Sequence, residues 1–411
     1  MAETIKLGNN NWATKEGNML AYNDENGNFK PIELDFARSS SATVLKRNGL
    51  IADVAINEPR VSFEDSVNGA FKLEPQRTNV LTYSNDFTNA DWAKLGVTID
   101  SNSTQSPTAL IDADSLIEDS SLASQHFVEE TKNITNGVDY SVSCFIKYNS
   151  KQWVRLFASG LNANVYFDVL NGVIGSSSNA LNIKIKDYGG GWFRCSFSST
   201  SIATTTTFKV SLADNDGVVV YDGDGVSFNY ISQTQLELGT FATSTIPTTG
   251  TAITRAAESA SKTGLESYIN SSEGVLFIDG SVFKDSFSKS ISLNSGVNST
   301  EIQLGYTSDV DPRVFALVRV SNSVEYIYYH NIDQSLNHLM ALKWKPNDFS
   351  FFVDGVKVNS QLSGETFSAN TLNVLDLSRN GGTSQFIGNI KDLRVYNTAL
   401  TDLELQTLTT I

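Results

Sequence analysis

The chain has 411 residues, a hydrophobic fraction of 40%, a charged fraction of only 18% and a formal net charge of −15. This length predicts two or three domains, and the low charge favours an all-β surface protein over a helical enzyme. The acidic balance disfavours nucleic-acid partners, because an acidic surface repels a phosphate backbone.

The N-terminal residues 1–80 are predicted to form a separate segment. Two turn signals, Asn26-Gly27 and Asn48-Gly49, lie between short apolar runs, a pattern typical of hairpins. Because these runs contain little continuous hydrophobic length, we expect the segment to be ordered only when it is bound to a partner chain.

Residues 81–260 show short strand-like runs separated by turn signals about every ten residues, which predicts an antiparallel sandwich or jelly roll. Asp139–Tyr148 alternates apolar and polar residues, and Asn171-Gly172 marks a turn. The polar, Ser- and Gly-rich residues 261–274 are predicted to be a linker.

Residues 275–411 form the third predicted part. Seven strand-like runs precede a short helix, for which Thr401 is the expected N-cap with Glu404 in the first turn. Asp354-Gly355 predicts a tight hairpin turn. The predicted fold class is therefore all-β, with an N-terminal segment followed by two antiparallel β-sandwich (jelly-roll) domains.

The chain contains two cysteines, Cys144 and Cys195, too few for a secreted disulfide scaffold. We expect both to be small buried hydrophobic residues rather than a bridge. The first residues do not resemble a signal peptide, and no apolar run reaches the roughly 20 residues that span a bilayer. These features predict folding in a reducing cytoplasm and no membrane insertion.

Catalytic chemistry is weakly represented. The three histidines, none of them in a motif of metal-binding or catalytic spacing, are His126, His330 and His338. Carboxylates that could act as a pair in glycoside cleavage are Asp168, Asp187, Asp222 and Asp224. Asp222 and Asp224 alternate with glycines, which is more typical of a β-turn. No catalytic residue is therefore predicted, and a glycan-cleaving enzyme remains an alternative.

A glycan site is the more natural expectation, because a sugar ring can lie on a flat aromatic side chain. The candidate glycan-binding residues are Trp153, Tyr166, Tyr326 and Tyr328. Trp92 and Trp192 are assigned to the core. Strand alternation places Tyr326 and Tyr328 on one face, and Ile327 and Tyr329 on the other. One of these two faces must point away from the core.

Three phrases in the middle region, Leu81–Lys94, Gly191–Ser198 and Gln235–Glu258, resemble a jelly-roll domain of bacteriophage tail and head-spike proteins. That domain is itself similar to carbohydrate-binding modules. The phrases FARSSSATVLKRNGLI, PRVSFED and LEPQRTNVL resemble the lead-in of such proteins. In the C-terminal part, the phrases WKPNDFSFFVDG, FIGNIKDLRVYN and ALTDLEL resemble laminin-G or concanavalin-A-like sandwiches.

These resemblances imply a virion structural protein, a component of a tail or head fibre that presents glycan-binding domains to the host surface. They also imply a homotrimer and attachment to other virion proteins through residues 1–80. No cofactor is expected, but some laminin-G-like relatives bind calcium, for which Asp309 and Asp311 are the nearest loop carboxylates. Two alternatives remain: a purely structural decoration protein of the capsid or tail, and a glycan depolymerase.

Overall fold

The structure is a computed structural model that describes residues 3–9, 12, 14–15, 18–23, 30–285, 287–308, 310–379 and 382–410. It is nearly all β, with 53% strand and 3% helix, which confirms the predicted fold class. No helix in these ranges is long and apolar enough to cross a bilayer. The turn predicted at Asn26-Gly27 lies outside the described residues.

The strands are short and follow one another along the whole chain. The first nine are β1 (Ile5–Gly8), β2 (Thr14–Lys15), β3 (Asn18–Asn23), β4 (Lys30–Ala37), β5 (Ala42–Leu45), β6 (Ile51–Val54), β7 (Arg60–Ser62), β8 (Ala70–Leu73) and β9 (Arg77–Asn79). The next thirteen are β10 (Ala93–Leu95), β11 (Val97–Gln105), β12 (Ile111–Glu118), β13 (His126–Asn133), β14 (Asp139–Lys147), β15 (Trp153–Ala158), β16 (Ala163–Asp168), β17 (Val173–Ser178), β18 (Leu181–Asp187), β19 (Trp192–Thr200), β20 (Thr205–Ala213), β21 (Phe228–Leu238) and β22 (Ile253–Arg255). The last elements are β23 (Ser259–Lys262), β24 (Gly274–Val282), β25 (Lys289–Asn294), β26 (Glu301–Tyr306), β27 (Arg313–Val320), β28 (Ser323–Asn331), β29 (His338–Trp344), β30 (Phe349–Val353), β31 (Val356–Gln361), β32 (Val374–Asp376), β33 (Gly388–Tyr396) and the helix α1 (Asp402–Leu408).

The chain divides into two compact units whose boundaries differ from those expected from the sequence. The first unit contains residues 1–41, 54–75 and 257–411, and the second contains residues 42–53 and 76–256. The long segment of the second unit begins with β9 and ends with β22, and these two strands pair antiparallel. The second unit is therefore inserted into the chain of the first.

The predicted separation of residues 1–80 from the C-terminal domain is corrected by the strand pairing. Strand β1 pairs with β33, with Leu7 opposite Leu393. Strand β8 also pairs with β33, and β4 pairs with β23. Ile5, Leu7 and Phe71 are buried in the same core as the C-terminal strands. The apolar surface that these short strands need thus comes from the same chain, more than 300 residues away, where local patterns cannot reveal it.

The predicted linker 261–274 is also part of the first unit rather than a tether. Strand β23 occupies its start and lies in the sheet between β4 and β32. Leu265 and Ile269 are buried in the core. Serine and glycine in this stretch therefore mark turns within a folded unit.

The first unit is a two-layer antiparallel sandwich. One sheet has the strand order β31–β30–β29–β24–β33 and continues from β33 to β1 and β8. The other has the order β28–β27–β26–β25–β32–β23–β4. Alternate residues of both sheets, such as Leu304, Val314 and Leu342, share one buried core. This arrangement is the aligned packing of two sheets that bury one face each.

The predicted local signals in this unit are confirmed. Thr401 is the N-cap of α1, and its side chain and that of Glu404 form a reciprocal capping box. Leu405 of α1 is buried in a small cluster with Phe277. Asp354 and Gly355, both with positive φ (48° and 78°), form the turn between β30 and β31.

The second unit is also a sandwich, of two six-stranded antiparallel sheets. Their orders are β10–β13–β20–β15–β16–β17 and β11–β12–β21–β14–β19–β18. Between them lies a core that includes Trp92. Trp192 is buried in a smaller cluster that includes Ile51 of the β5–β6 hairpin. Cys144 and Cys195 lie directly opposite each other in β14 and β19, buried and unbonded.

Candidate functional site

Two of the four predicted glycan-binding residues lie on the same face of one sheet. In β15 and β16 alternate residues are buried in the core, so Trp153, Arg155 and Phe157 share the opposite face with Tyr166 and Asp168. The register places Trp153 opposite Asp168, and Arg155 opposite Tyr166. We call these five residues, with Phe127, Lys209 and Ser211 of the neighbouring strands, the outer face.

Trp153 is partly exposed, and its indole ring lies against the backbone of the next strand but one. A Cβ atom placed on Gly175 in β17 would lie only 2.4 Å from Cζ3 of Trp153 and 2.7 Å from Oδ1 of Asp216. Asp216 in turn accepts a hydrogen bond of 2.9 Å from the backbone N–H of Ser176. The absence of a side chain at position 175 therefore sets where the indole rests.

Tyr166 lies on the outer face but is only 7% exposed. The Arg155 guanidinium lies beside its hydroxyl and is 5.2 Å from the centroid of the Phe157 ring. Tyr166 therefore supports the face, whereas Trp153, Arg155 and Phe157 are partly exposed to solvent. Sequence reasoning missed Arg155 and Phe157, although their two-residue spacing from Trp153 could have indicated them.

Arg155 has neutral hydrogen-bond partners. Its Nη2 donates to Oε1 of Gln125 at 3.3 Å and to Oγ of Ser211 at 3.5 Å. In the described part of the chain, its buried Nε has no hydrogen-bond partner, and no carboxylate forms an ion pair with it. Burial lowers the pKa of Arg155 below its ordinary value, against a smaller opposing effect of the Tyr166 hydroxyl.

The other charged groups of the outer face are paired or fixed. Lys209 forms an ion pair of 2.6 Å with Glu129 and lies 3.9 Å from the centroid of the Phe127 ring. Asp168 accepts hydrogen bonds from Gln152 Nε2 at 2.7 Å and from Asn171 Nδ2 at 2.8 Å. Burial raises the pKa of Asp168, but these hydrogen bonds outweigh it and the net pKa is lowered.

A buried polar cluster that the sequence did not indicate holds the start of β15. Tyr221 donates a 2.6 Å hydrogen bond to Glu118, and Lys151 forms a 3.0 Å ion pair with the same carboxylate. The Lys151 ammonium also lies 4.3 Å from the Tyr221 ring centroid. Burial, with the Glu118 hydrogen bond, raises the pKa of Tyr221 well above its ordinary value. Because Lys151 is two residues before Trp153, the cluster anchors the strand that carries the indole.

The choice of Tyr326 and Tyr328 is corrected by the structure. Tyr326 is 1% exposed, and its ring stacks on Phe349 with a centroid distance of 5.8 Å. Tyr328 packs against the same core. The strand alternation was right, but the exposed face carries Ile327 and Tyr329, which are 45% and 42% exposed. Both faces of β28 are apolar, so hydrophobicity could not distinguish them.

The remaining carboxylate candidates fix turns. Asp187 accepts a hydrogen bond of 2.7 Å from the Gly189 backbone, and Asp222 accepts one of 2.7 Å from the Ala123 backbone. Asp224 accepts a hydrogen bond of 2.8 Å from the Val226 backbone. These contacts are typical of Asx turns.

The three histidines are dispersed. His126 is buried with Nδ1 2.6 Å from the Gly96 carbonyl oxygen. His338 lies 2.6 Å from Oδ2 of Asp354, and His330 is in the edge strand β28.

The calcium prediction does not fit the described residues. Asp309 lies outside them, and the carboxylate of Asp311 is hydrogen-bonded to Arg313. Across the described ranges no group of three or more His, Cys, Asp or Glu side chains could hold a metal ion. A calcium ion takes six to eight oxygen ligands, and a carboxylate engaged by a guanidinium is a poor start for such a set.

The first unit contains a second concave surface, a cleft of about 230 Å³ lined mainly by polar residues. Asn270 on its wall is engaged in the fold, since it donates to the Asn397 carbonyl oxygen and accepts from Ser272. Its lining contains Glu266 and no aromatic side chain. The cleft therefore lacks the flat rings that the outer face provides.

The fold and the outer face together define a class: an all-β protein of two antiparallel sandwich units with a surface of the carbohydrate-binding type. Residues 285–406 match the family model of the concanavalin A-like lectin/glucanase superfamily (Laminin_G_3). No curated protein matches the chain significantly.

Two solved structures illustrate the general likeness in fold. The CBM40 module of the Ruminococcus gnavus IT-sialidase, bound to α2,3-sialyllactose, is 19% identical with a TM-score of 0.30, covering 34% of this chain and 83% of that module. Domains LG4-5 of the mouse laminin α1 chain are 12% identical with a TM-score of 0.24, covering 79% of this chain and 94% of that one.

Proposed function

We propose that the protein is an adhesive structural component of a bacteriophage particle, part of a tail or head fibre that binds host-surface glycans. One observation carries the glycan part: Trp153, Arg155 and Phe157 lie side by side on one solvent-facing sheet surface. The virion part is supported by the sequence phrases that resemble phage fibre proteins.

Binding on the outer face combines two kinds of contact. The apolar side of a sugar ring lies on the Trp153 indole, and nearby polar groups hydrogen-bond to its hydroxyls, as in sugar and ligand sites generally. Contacts of this kind are weak one at a time. In a homotrimer, or in several fibres on one particle, they gain by effective concentration.

Attachment to other virion proteins is assigned to the first unit. The N-terminal residues that the sequence suggested for this role are strands of that unit. A docking surface there consists of folded sheet rather than of a segment that orders only on its partner.

The test is glycan-array binding of the labelled full chain, with Trp153→Ala and a matched control, Phe287→Ala. Phe287 is 70% exposed and belongs to the first unit. Binding is expected to fall at least tenfold in Trp153→Ala, because stacking on an aromatic ring contributes about 1–3 kcal/mol, and to persist in Phe287→Ala.

Two outcomes would favour the alternatives. If no glycan is bound, but immunogold labelling places the protein on phage particles, it is a decoration protein. If incubation with host polysaccharide releases reducing ends, it is a depolymerase. Absence of the protein from purified particles would contradict the virion role.

A further inference from the structure

The outer face carries two cations in contrasting situations. Lys209 is neutralised by Glu129 at 2.6 Å. Arg155, on the adjacent strand, has only the long contacts to Gln125 and Ser211 and, among the described residues, no carboxylate within ion-pairing distance. A partly buried guanidinium that has lost water without gaining a counter-ion carries a desolvation cost. An anion bound there would offset this cost.

The geometry limits which anion fits. A guanidinium presents a planar fork of N–H donors that matches the two oxygens of a carboxylate. Trp153 precedes Arg155 by two residues on the same face, so their Cα atoms lie about 7 Å apart. A sugar ring resting on the indole can therefore direct a substituent of that ring to the guanidinium.

Charge over the whole molecule makes a general anion trap improbable as an explanation. The chain has a net charge of −15, which repels polyanions at long range. Anion recognition at Arg155 must then be local and combined with stacking. Phe157, whose ring lies 5.2 Å from the guanidinium carbon, keeps the cation next to apolar surface, where a charge-assisted hydrogen bond is strongest.

We infer that the outer face selects acidic glycans, with Arg155 binding the carboxylate of a uronic or sialic acid residue whose ring lies on Trp153. This inference rests on the proposed glycan-binding function and adds the class of ligand. Arg155 is the specificity-determining residue, Trp153 provides the stacking surface, and Tyr166 positions the guanidinium.

The experiment uses the full chain on an array in which each uronic- or sialic-acid oligosaccharide is printed beside its carboxyl-reduced, neutral counterpart. The wild-type protein is expected to prefer the carboxylated member about tenfold or more, in line with the strength of charge-assisted hydrogen bonds. Arg155→Gln is expected to abolish the preference while leaving binding of the neutral member within about twofold. Sulfated and phosphorylated analogues are printed as a third arm.

Two control variants keep the result specific. Lys209→Gln removes a cation of the same face that already has a counter-ion, and it should leave the preference intact. Arg155→Lys keeps the charge but not the fork, and it should restore only part of the preference. Thermal unfolding of each variant confirms that it is folded.

The outcomes separate the two proposals. Equal binding of carboxylated and neutral members, lost in Trp153→Ala, overturns the acidic-glycan inference and leaves adhesion in place. Stronger binding of sulfated or phosphorylated analogues overturns the assignment to a carboxylate. No binding to any member overturns both proposals.

Discussion

Arg60 donates two hydrogen bonds to the carboxylate of Glu258, of 2.8 Å from Nε and 2.5 Å from Nη2, although 198 residues separate them in sequence. Glu258 also accepts a 2.7 Å bond from Arg38, and Arg60 also binds Glu74 at 2.8 Å. All four side chains are essentially buried. Despite the lowering effect of burial, Glu258 and Glu74 raise the pKa of Arg60. Phrases that resemble phage proteins thus meet in one network inside the first unit.

Removing the charge of Glu258 should be strongly destabilising. In Glu258→Gln, two buried guanidinium groups lose their shared carboxylate, and breaking such a buried network typically costs about 3–5 kcal/mol. Urea unfolding followed by circular dichroism measures the change. As a control, Lys345→Ala removes the exposed Lys345–Glu273 pair and should cost about 1 kcal/mol or less. A small effect of Glu258→Gln would mean that the network contributes little.

The C-terminal domain suggested by the sequence should not fold by itself. A fragment of residues 275–411 lacks β1 and β8, which pair with β33, and β23, which pairs with β32. Its exposed edges and core residues should give an aggregated or molten species with strong ANS fluorescence. The intact chain serves as the reference. A cooperative thermal transition of the fragment would show that the N-terminal strands are dispensable.

A methyl group at position 175 should displace the indole of Trp153. Since the added Cβ would lie 2.4 Å from Cζ3, the ring must shift in Gly175→Ala, and glycan binding should fall severalfold. The indole N–H resonance in a ¹H–¹⁵N spectrum reports the shift directly. Ser177→Ala, at an exposed position of the same strand, is the control. An unchanged resonance and affinity would contradict the described position of Trp153.

Asp279 should make the first unit less stable as pH rises. Burial raises the pKa of this carboxyl, although its hydrogen bond from Asn337 at 2.6 Å opposes the shift. The folded state therefore binds the proton more tightly than the unfolded state. Its contribution to stability is fully present below the ordinary Asp pKa of about 3.9 and is lost as pH rises through the higher folded pKa.

In Asp279→Asn, the difference in unfolding free energy between pH 4 and pH 7 should be smaller than in the wild type in that direction. Urea titrations at the two pH values give the measurement. Asp35→Asn, at an exposed position of the same unit, should leave the difference unchanged. An identical pH dependence in wild type and Asp279→Asn would disprove the assignment.

The two thiols should be unreactive in the native protein. Burial raises the pKa of Cys144 to about 12 and also raises that of Cys195, and the thiolate is the reactive form. Ellman's reagent at pH 8 should therefore label both only after denaturant is added. Rapid labelling of the native chain would indicate that this sheet opens locally.

The sequence predicted what local patterns encode. The hairpin at Asp354, the cap at Thr401 and the alternation in β28 follow from turn chemistry and strand periodicity. Pairings such as that of Leu7 with Leu393 were not predictable, because register between distant strands is decided by complementary surfaces. The exposed side of β28 failed for a related reason: Tyr326 and Tyr329 are equally apolar in a one-dimensional pattern.

Half of the candidate site was accessible from sequence and half required coordinates. Trp153 was identified as an exposed aromatic residue at a strand start, and Tyr166 as its companion. The role of Arg155 depends on what does not lie beside it. That can be known only when the neighbouring strands, with Gln125 and Ser211, are in place.

The β5–β6 hairpin restricts how such a gene can diversify by recombination. It belongs to the second unit, where Ile51 covers Phe145, Tyr188 and Trp192, yet residues 54–75 of the first unit separate it from β9. A crossover that replaced only residues 76–256 would leave a mismatched cover over the incoming module. An exchange that keeps the cover matched must span residues 42–256 and bring Arg60 and Glu74 with it, so a new specificity is inherited together with half of the charge network that supports its neighbour.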